Sequence, residues 1–274
     1  MAQSITLTAS MRSNLASLKS IQSQMDTTQE RLSTGKKVNS AIDNASSYYQ
    51  SRALTNRASD LSSLLDSMGQ GIQTIQAANE GLESLTSYVE QMKAVADTAA
   101  TLAADSADYA TELGSYQNQF NAIRNQATKL INDASYQGIN LLKGQDLTVI
   151  FNESRGNSLT IEGKDVATTV DGLKAAAAWT DAEDVADTIT DITKGMTTLR
   201  SISSEFGNAY SIIQTRQEFT EALIDVLETG ADNLVLADMN EESANYLALQ
   251  TRQQLAINSL SLASQSAQSV LQLF

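Results

Sequence analysis

The sequence predicts a mainly α-helical protein of long antiparallel helices, with coiled-coil termini, a helical bundle and a small β-hairpin region in the middle. The chain has no proline among its 274 residues, whereas usage of about 5% would give roughly 14. Proline interrupts helices because it lacks a backbone N–H and clashes with the preceding turn. Apolar residues recur at steps of three and four over most of the chain, as on one face of a helix. Strict alternation occurs only near the middle.

Both ends of the chain carry helical patterns with the spacing of a coiled-coil seam. In the first pattern, apolar residues stand seven apart from Met11 to Leu32. It ends near Gly35, which can adopt the left-handed conformation that closes a helix. The last pattern runs from Tyr246 to the end of the chain on alternating three- and four-residue steps. The candidate self-assembly or coiled-coil seam residues are Met11, Leu15, Leu18, Met25, Leu32, Tyr246, Leu249, Leu260, Val270 and Phe274.

Between these ends the patterns predict a helical bundle and one pair of strands. Helical spacing extends over residues 61–96, 116–134 and 185–226. Apolar residues stand two apart at Leu147, Val149 and Phe151 and again at Leu159 and Ile161. Turn residues separate the two stretches, which indicates a β-hairpin. Thr180 and Glu183 have the spacing of a capping box at the start of the following helix.

Turn residues and changes of pattern divide the chain into three predicted parts. Residues 1–43 and 231–274 together form a discontinuous coiled-coil segment. Residues 44–140 and 181–230 form the long-helix bundle, and residues 141–180 form a hairpin and short surface-exposed region. The polar stretch after Gly35 and the pause at Gly230 mark two of the boundaries.

Composition excludes several classes of function. A net charge of −14, from 18 Lys and Arg against 32 Asp and Glu, argues against binding nucleic acid, which needs a cationic face. The chain has no His and no Cys, the commonest general base and the thiolate ligand. We therefore predict no catalytic residues, no metal site and no cofactor. The acidic group from Asp232 to Glu242 lacks the spacing of a calcium loop, and Asp238 with Glu241 instead fits a helix N-cap and its partner.

The final stretch, residues 253–274, contains no charged side chain, and 11 of its 22 residues are Gln, Asn or Ser. A membrane span would leave these amides and hydroxyls unpaired in lipid. Inside a protein assembly they can pair with one another, whereas an unpaired charge would be costly. The first 11 residues are also uncharged. We expect the two ends to pair antiparallel and to be covered by identical copies in an open helical filament. The alternative is a helical bundle with both ends docked on its own core.

Three segments resemble those of bacterial flagellins. RLSTGKKVNSAIDNAS at residues 31–46 is similar to a conserved flagellin motif, with Arg31, Leu32, Gly35, Asn39 and Asp43 at matching positions. GIQTIQAANEGLESL at 71–85 resembles their second conserved stretch. The chain end, from ADMNEESANYLALQ at residue 237 to SVLQLF, is similar to their C-terminal block.

This resemblance implies a subunit of the flagellar filament that self-assembles into a helical tube used for swimming. In that family the terminal segments form the inner tube and the chain middle faces the medium. The implied partners are further copies of the chain, the flagellar cap and hook–filament junction proteins, and an export chaperone on the C-terminal segment. Export is implied to run through the flagellum's own secretion channel, without a cleaved signal peptide. The alternatives are the hook–filament junction protein and a secreted helical pore-former or effector.

One stretch departs from the family pattern. Many flagellins carry Q-R-V-R-E-L on a long helix, where an innate immune receptor docks. Residues 90–95 here read EQMKAV, so Gln91, Lys93 and Ala94 replace the two Arg and the Glu of the motif. We expect weak activation of that receptor. The alternative is that these are exposed helix positions free to vary.

Overall fold

The computed structural model describes residues 9–102, 108–173 and 178–272 and confirms the predicted fold class. The long helices are α1 (Ala9–Thr34), α2 (Ala45–Ala100), α3 (Tyr109–Asp133), α5 (Ala182–Val235) and α6 (Met239–Gln272), and α4 (Val166–Thr169) is one short turn. Strands β1 (Leu147–Ile150) and β2 (Ser158–Ile161) form an antiparallel hairpin.

The chain divides into two compact units. The terminal unit comprises Met1–Arg57 and Val226–Phe274, and the central unit comprises Ala58–Asp225. Within the residues that the structure describes, no helix is both long and apolar enough to cross a membrane.

The core of the central unit is formed by three helices whose buried residues repeat every seven positions. On α5 these are Val185, Ile192, Leu199, Phe206 and Ile213, each no more than 1% exposed. A seven-residue repeat keeps one face of a long helix turned toward its partners, and each large buried side chain contributes about 1.5–3 kcal/mol. The matching buried positions are Leu61, Met68, Ile75, Leu82, Val89 and Ala96 on α2, and Leu113, Phe120 and Ala127 on α3.

The hairpin packs on α2 as the alternating pattern predicts. Leu147 pairs with Ile161 across the two strands, and Val149 pairs with Leu159. Of these residues Leu147, Val149 and Ile161 are buried. The approach to α2 is close, because a Cβ built on Gly71 would lie 2.8 Å from Val149 Cγ2. A side chain on this face of α2 would therefore push the hairpin away.

The start of α5 differs from the predicted capping box. The Asp181 carboxylate accepts from the backbone N–H groups of Glu183 and Asp184, both at 3.0 Å. In return, the Asp184 carboxylate accepts from the N–H and hydroxyl of Thr180, at 2.8 and 2.6 Å. The box is therefore one residue later than Thr180 with Glu183, because Ala182 begins the helix and Asp181 stands directly before it. These bonds, first of all the one from the Thr180 hydroxyl, lower the pKa of Asp184.

In the terminal unit, the connector after α1 is fastened to the turn between α5 and α6. Gly35 adopts a positive φ of 70° and ends α1 as predicted. The N–H groups of Lys37 and Val38 donate to Val235 O, at 2.7 and 3.3 Å, and Ala237 N donates to Gly35 O at 2.9 Å. These bonds hold the two interhelical connections side by side.

Asp carboxylates fix the ends of both connections. Asp238 Oδ1 accepts from the N–H groups of Asn240 and Glu241, at 2.8 and 3.2 Å, which confirms the predicted N-cap of α6. In the other connection, Asp43 Oδ2 accepts from Asn39 N at 3.0 Å and from Ser40 N at 2.9 Å. The backbone N–H of Ser40 and then that of Asn39 are the main causes of a lowered pKa for Asp43.

We expect Gly81→Ala to destabilise the central unit. Its Cβ would lie 2.9 Å from both Ala134 Cβ and Leu142 Cδ1, and overpacking of this kind costs about 1–3 kcal/mol. The matched control is Gly69→Ala on the same helix, because a Cβ there meets nothing within 4 Å. That change should stabilise by about 1 kcal/mol, since Ala favours helix over Gly. Urea unfolding followed by Trp179 fluorescence measures both, and equal effects would contradict the close packing.

We expect Asp43 to titrate below its ordinary pKa of 3.8. Because the folded-state pKa is lowered, the carboxylate contributes stability that is present above the unfolded pKa. This stability is lost as the pH falls through the folded pKa. An NMR titration of the carboxyl carbon measures the pKa directly. A midpoint at or above 3.8, or an unchanged acid transition in Asp43→Asn, would contradict this role.

Candidate assembly interface

Helices α1 and α6 run antiparallel, and each buries one face against the other. Of the predicted seam residues, Met11, Met25 and Leu249 are buried, and Leu18, Leu32, Tyr246 and Leu260 are half-buried. The seam therefore lies between the two ends of one chain.

For three predicted seam residues, the structure shows no burial between α1 and α6. Leu15 is 50% exposed. Between Met11 and Leu18 the residue that faces the seam is its neighbour Asn14, which is half-buried. The Val270 side chain and the whole of Phe274 lie outside the described residues. The participation of all three in self-assembly stays a prediction.

Two polar contacts cross the seam and set its register. Arg31 Nη1 lies 2.9 Å from Glu242 Oε1, and the Glu242 side chain is only 11% exposed. Further along, Gln253 Nε2 donates to Gln22 Oε1 at 2.7 Å, which accounts for the one amide in the apolar stripe of α6. A buried carboxylate without its cation would be strongly destabilising, so the ion pair favours a single alignment of the helices.

Glu242 is a seam residue that the sequence interpretation considered only as a member of the acidic group from Asp232 to Glu242. It stands four residues before Tyr246 and seven before Leu249, which are seam steps, so its spacing already placed it on the buried face. What the spacing could not show was its partner on the opposite end of the chain. The pair joins the motif that begins at Arg31 to the C-terminal segment that begins at Ala237.

The other motif residues shape the connector that follows α1. Leu32 is half-buried in the last turn of α1, and Gly35 supplies the left-handed residue that ends the helix. Asn39 donates its N–H to Asp43, and the turn that they close presents Ile42 at 95% exposure. The structure thus holds an apolar side chain almost wholly in solvent.

Exposed apolar side chains are concentrated in the terminal unit. Of the 12 large hydrophobic side chains exposed in the described residues, ten belong to this unit. On α6, Leu247, Leu255 and Leu262 are 62%, 61% and 65% exposed. Their spacing places them on the side of the helix turned away from the seam. The α1–α6 pair therefore has a second apolar face that the described part of the chain leaves uncovered.

Charge is divided between the two units in the opposite way. The terminal unit holds eight Lys or Arg and eight Asp or Glu, whereas the central unit holds ten and 24. The whole net charge of −14 thus belongs to the central unit. A neutral, apolar surface associates without long-range repulsion, while an acidic surface keeps the rest of the molecule in solution.

The stretch that departs from the immune-receptor motif lies on α2 in the central unit. Gln91 and Ala94 are exposed and Lys93 is half-buried, whereas Met92 between them is buried in the core. A protein that contacts this stretch of the surface would therefore meet the side chains of Gln91, Lys93 and Ala94, and not that of Met92.

Among the residues described, no group of three or more Asp or Glu is placed to hold a metal ion. His and Cys are absent from the sequence.

Comparison with known families agrees with this organisation. The bacterial flagellin N-terminal helical region matches residues 5–146, and the bacterial flagellin C-terminal helical region matches residues 189–274. The two regions contain the two halves of the α1–α6 pair.

Curated relatives match over nearly their whole lengths. Flagellin FljK of Caulobacter vibrioides is 29% identical over 272 residues, covering 99% of this chain and 98% of its own. A flagellin of Brucella melitensis is 29% identical over 284 aligned positions, covering 99% of both chains. Among solved structures, the crystal structure of Bacillus cereus flagellin has a TM-score of 0.48 at 13% identity, covering 55% of this chain and 86% of that one. By its two family regions, the chain belongs to the bacterial flagellins.

Proposed function

We propose that copies of this chain polymerise through the terminal unit, head-to-tail and laterally, into a helical tube. As a flagellin, the chain is a structural subunit of the bacterial flagellar filament, outside the cell, where it serves motility. The observation that carries the proposal is the concentration of exposed apolar side chains on the unit that has no net charge.

The free energy available from burying apolar side chains favours assembly over a monomer whose α1–α6 pair is exposed to solvent. Burying one large apolar side chain contributes about 1.5–3 kcal/mol. The four exposed aliphatic residues of α6 therefore offer roughly 6–12 kcal/mol per copy before the cost of association, which is of similar size. They are Leu247, Leu255, Ile257 and Leu262. Such a contact is favourable only when each copy makes several of them, as a subunit in a helical lattice does.

Three finer assignments follow as proposals. The terminal segments, residues 1–43 and 231–274, line the inner tube. The bundle, residues 44–140 and 181–230, forms the next layer, and residues 141–180 face the medium. The absence of charge from residues 253–274 supports the first assignment, because a face surrounded by protein excludes unpaired charge.

Export and partners are also proposed from the flagellin family. The chain would leave the cell through the flagellar channel without a cleaved signal peptide, with a chaperone on its C-terminal segment. The cap and the hook–filament junction proteins would contact its copies at the two ends of the filament. We infer no enzymatic activity and no cofactor, because the chain lacks His and Cys and flagellins are structural proteins.

We expect Leu260→Asp to abolish filaments, because Leu260 is half-buried in the seam and an unpaired carboxylate there is costly. Leu260→Met is the matched control and should assemble, since it conserves volume and apolarity. Deletion of residues 253–274 should leave a soluble, partly helical monomer. Negative-stain microscopy after addition of salt or filament seeds measures all three. Long filaments from the truncated chain would overturn the proposed function, and short or absent polymers from the full chain would favour the junction protein.

We also infer weak activation of the innate immune receptor that docks on Q-R-V-R-E-L. Gln91 and Ala94 are exposed, so the guanidinium and carboxylate of the motif are missing from the surface. A reporter-cell assay should show that Gln91→Arg with Lys93→Arg and Ala94→Glu raises potency. Full potency of the unchanged protein would refute the inference and leave these as helix positions free to vary.

A further inference from the structure

An open polar groove runs along one side of the α1–α6 pair. Its walls include Ser23, Thr27 and Arg31 on α1, and Glu242, Asn245 and Arg252 on α6. The groove has a volume of about 410 Å³, many times the roughly 30 Å³ of one water molecule. It is therefore large enough for a side chain from another molecule.

The groove carries a guanidinium that the described residues do not pair. Arg31 is engaged by Glu242 at 2.9 Å. Arg252 makes no side-chain hydrogen bond or ion pair with the part of the chain that the structure describes, and it is the only charged residue in positions 243–274. With Glu242 neutralising Arg31, the groove keeps one unit of positive charge.

The positive charge of Arg252 would be destabilising inside an assembly unless a negative group neutralises it there. Arg252 stands between Leu247 and Leu255 on α6, a helix that the proposed function surrounds with protein. A charge that is buried without a partner is strongly destabilising. A guanidinium presents a rigid fork of donors that matches a carboxylate in two parallel hydrogen bonds. The groove also offers hydroxyls and an amide around that fork.

We propose that this groove is a contact between copies, and that its occupant is a carboxylate side chain from the terminal unit of a second copy, bound by Arg252. The inference rests on the proposed function and names the partner of one face of the terminal unit. Charge complementarity supports it. The terminal unit carries equal numbers of acidic and basic residues. Four of its carboxylates are exposed and have no hydrogen-bond or ion-pair partner in the described residues, namely those of Glu30, Glu228, Asp232 and Glu241.

The first experiment measures the critical concentration for seeded polymerisation by sedimentation. Arg252→Ala should raise it by about tenfold, the scale of one lost interfacial ion pair. Arg252→Lys should recover only part of the loss, because an ammonium lacks the fork. The matched control is Lys19→Ala, an exposed cation on α1 outside the groove, which should change the value less than twofold. Circular dichroism of each monomer verifies that the helices are retained.

The second experiment identifies the occupant by exchanging charges. Arg252→Glu should block assembly. Combining it with Glu30→Arg, Glu228→Arg, Asp232→Arg or Glu241→Arg, one at a time, should restore assembly when the reversed residue is the one that enters the groove. Failure of all four combinations would overturn the carboxylate occupant. A second result would also overturn it. If Arg252→Ala raised the critical concentration in phosphate buffer but not in chloride, the groove would hold an inorganic anion.

These outcomes separate the inference from the function on which it rests. If the unchanged protein does not polymerise, the proposed function fails. If it polymerises and Arg252→Ala assembles equally well, only the role of the groove is overturned.

Discussion

The pairing of the two chain ends is the constraint on which the rest of the structure depends. Helices α1 and α6 come from opposite ends of the sequence, so α2 and α5 must leave the pair from the same side. The connections that allow this are bonded to each other, with Lys37 N 2.7 Å from Val235 O, and the Arg31–Glu242 ion pair at 2.9 Å fixes the register. A pair of helices buries only one face of each. Both helices therefore keep an outward face, which on α6 is apolar.

Charge and hydrophobicity together decide what that outward face can do. A neutral surface with exposed leucines would make an isolated protein prone to aggregation. The acidic central unit opposes this by mutual repulsion between copies. Association is then favourable only in arrangements that bring terminal units together while acidic surfaces stay apart. The proposed tube, with the terminal segments lining it, would satisfy both conditions.

Most of the fold could be predicted from the sequence, because its elements are specified by local patterns. The seven-residue repeats, the hairpin and the Asp238 cap each depend on residues close together in the chain. The sequence is less informative where a partner from elsewhere in the chain decides which side chain is buried. Asn14 and Leu15 both have the helical spacing between Met11 and Leu18, and the half-buried residue of the two is Asn14. The seam spacing of Glu242 could be seen, but its partner Arg31 lies 211 residues away. The assembly surface itself was predicted only in part, since exposure is a property of the folded chain.

The central claim is that the terminal unit is completed by identical neighbours, and backbone hydrogen exchange tests it most directly. In a dilute monomer, amides of α1 and α6 should exchange far faster than the buried heptad positions of α2 and α5 in the central unit, because one shared face gives two helices little stability of their own. In filaments the same amides should become protected. Equal protection of α1, α6 and the central helices in the isolated monomer would contradict the claim.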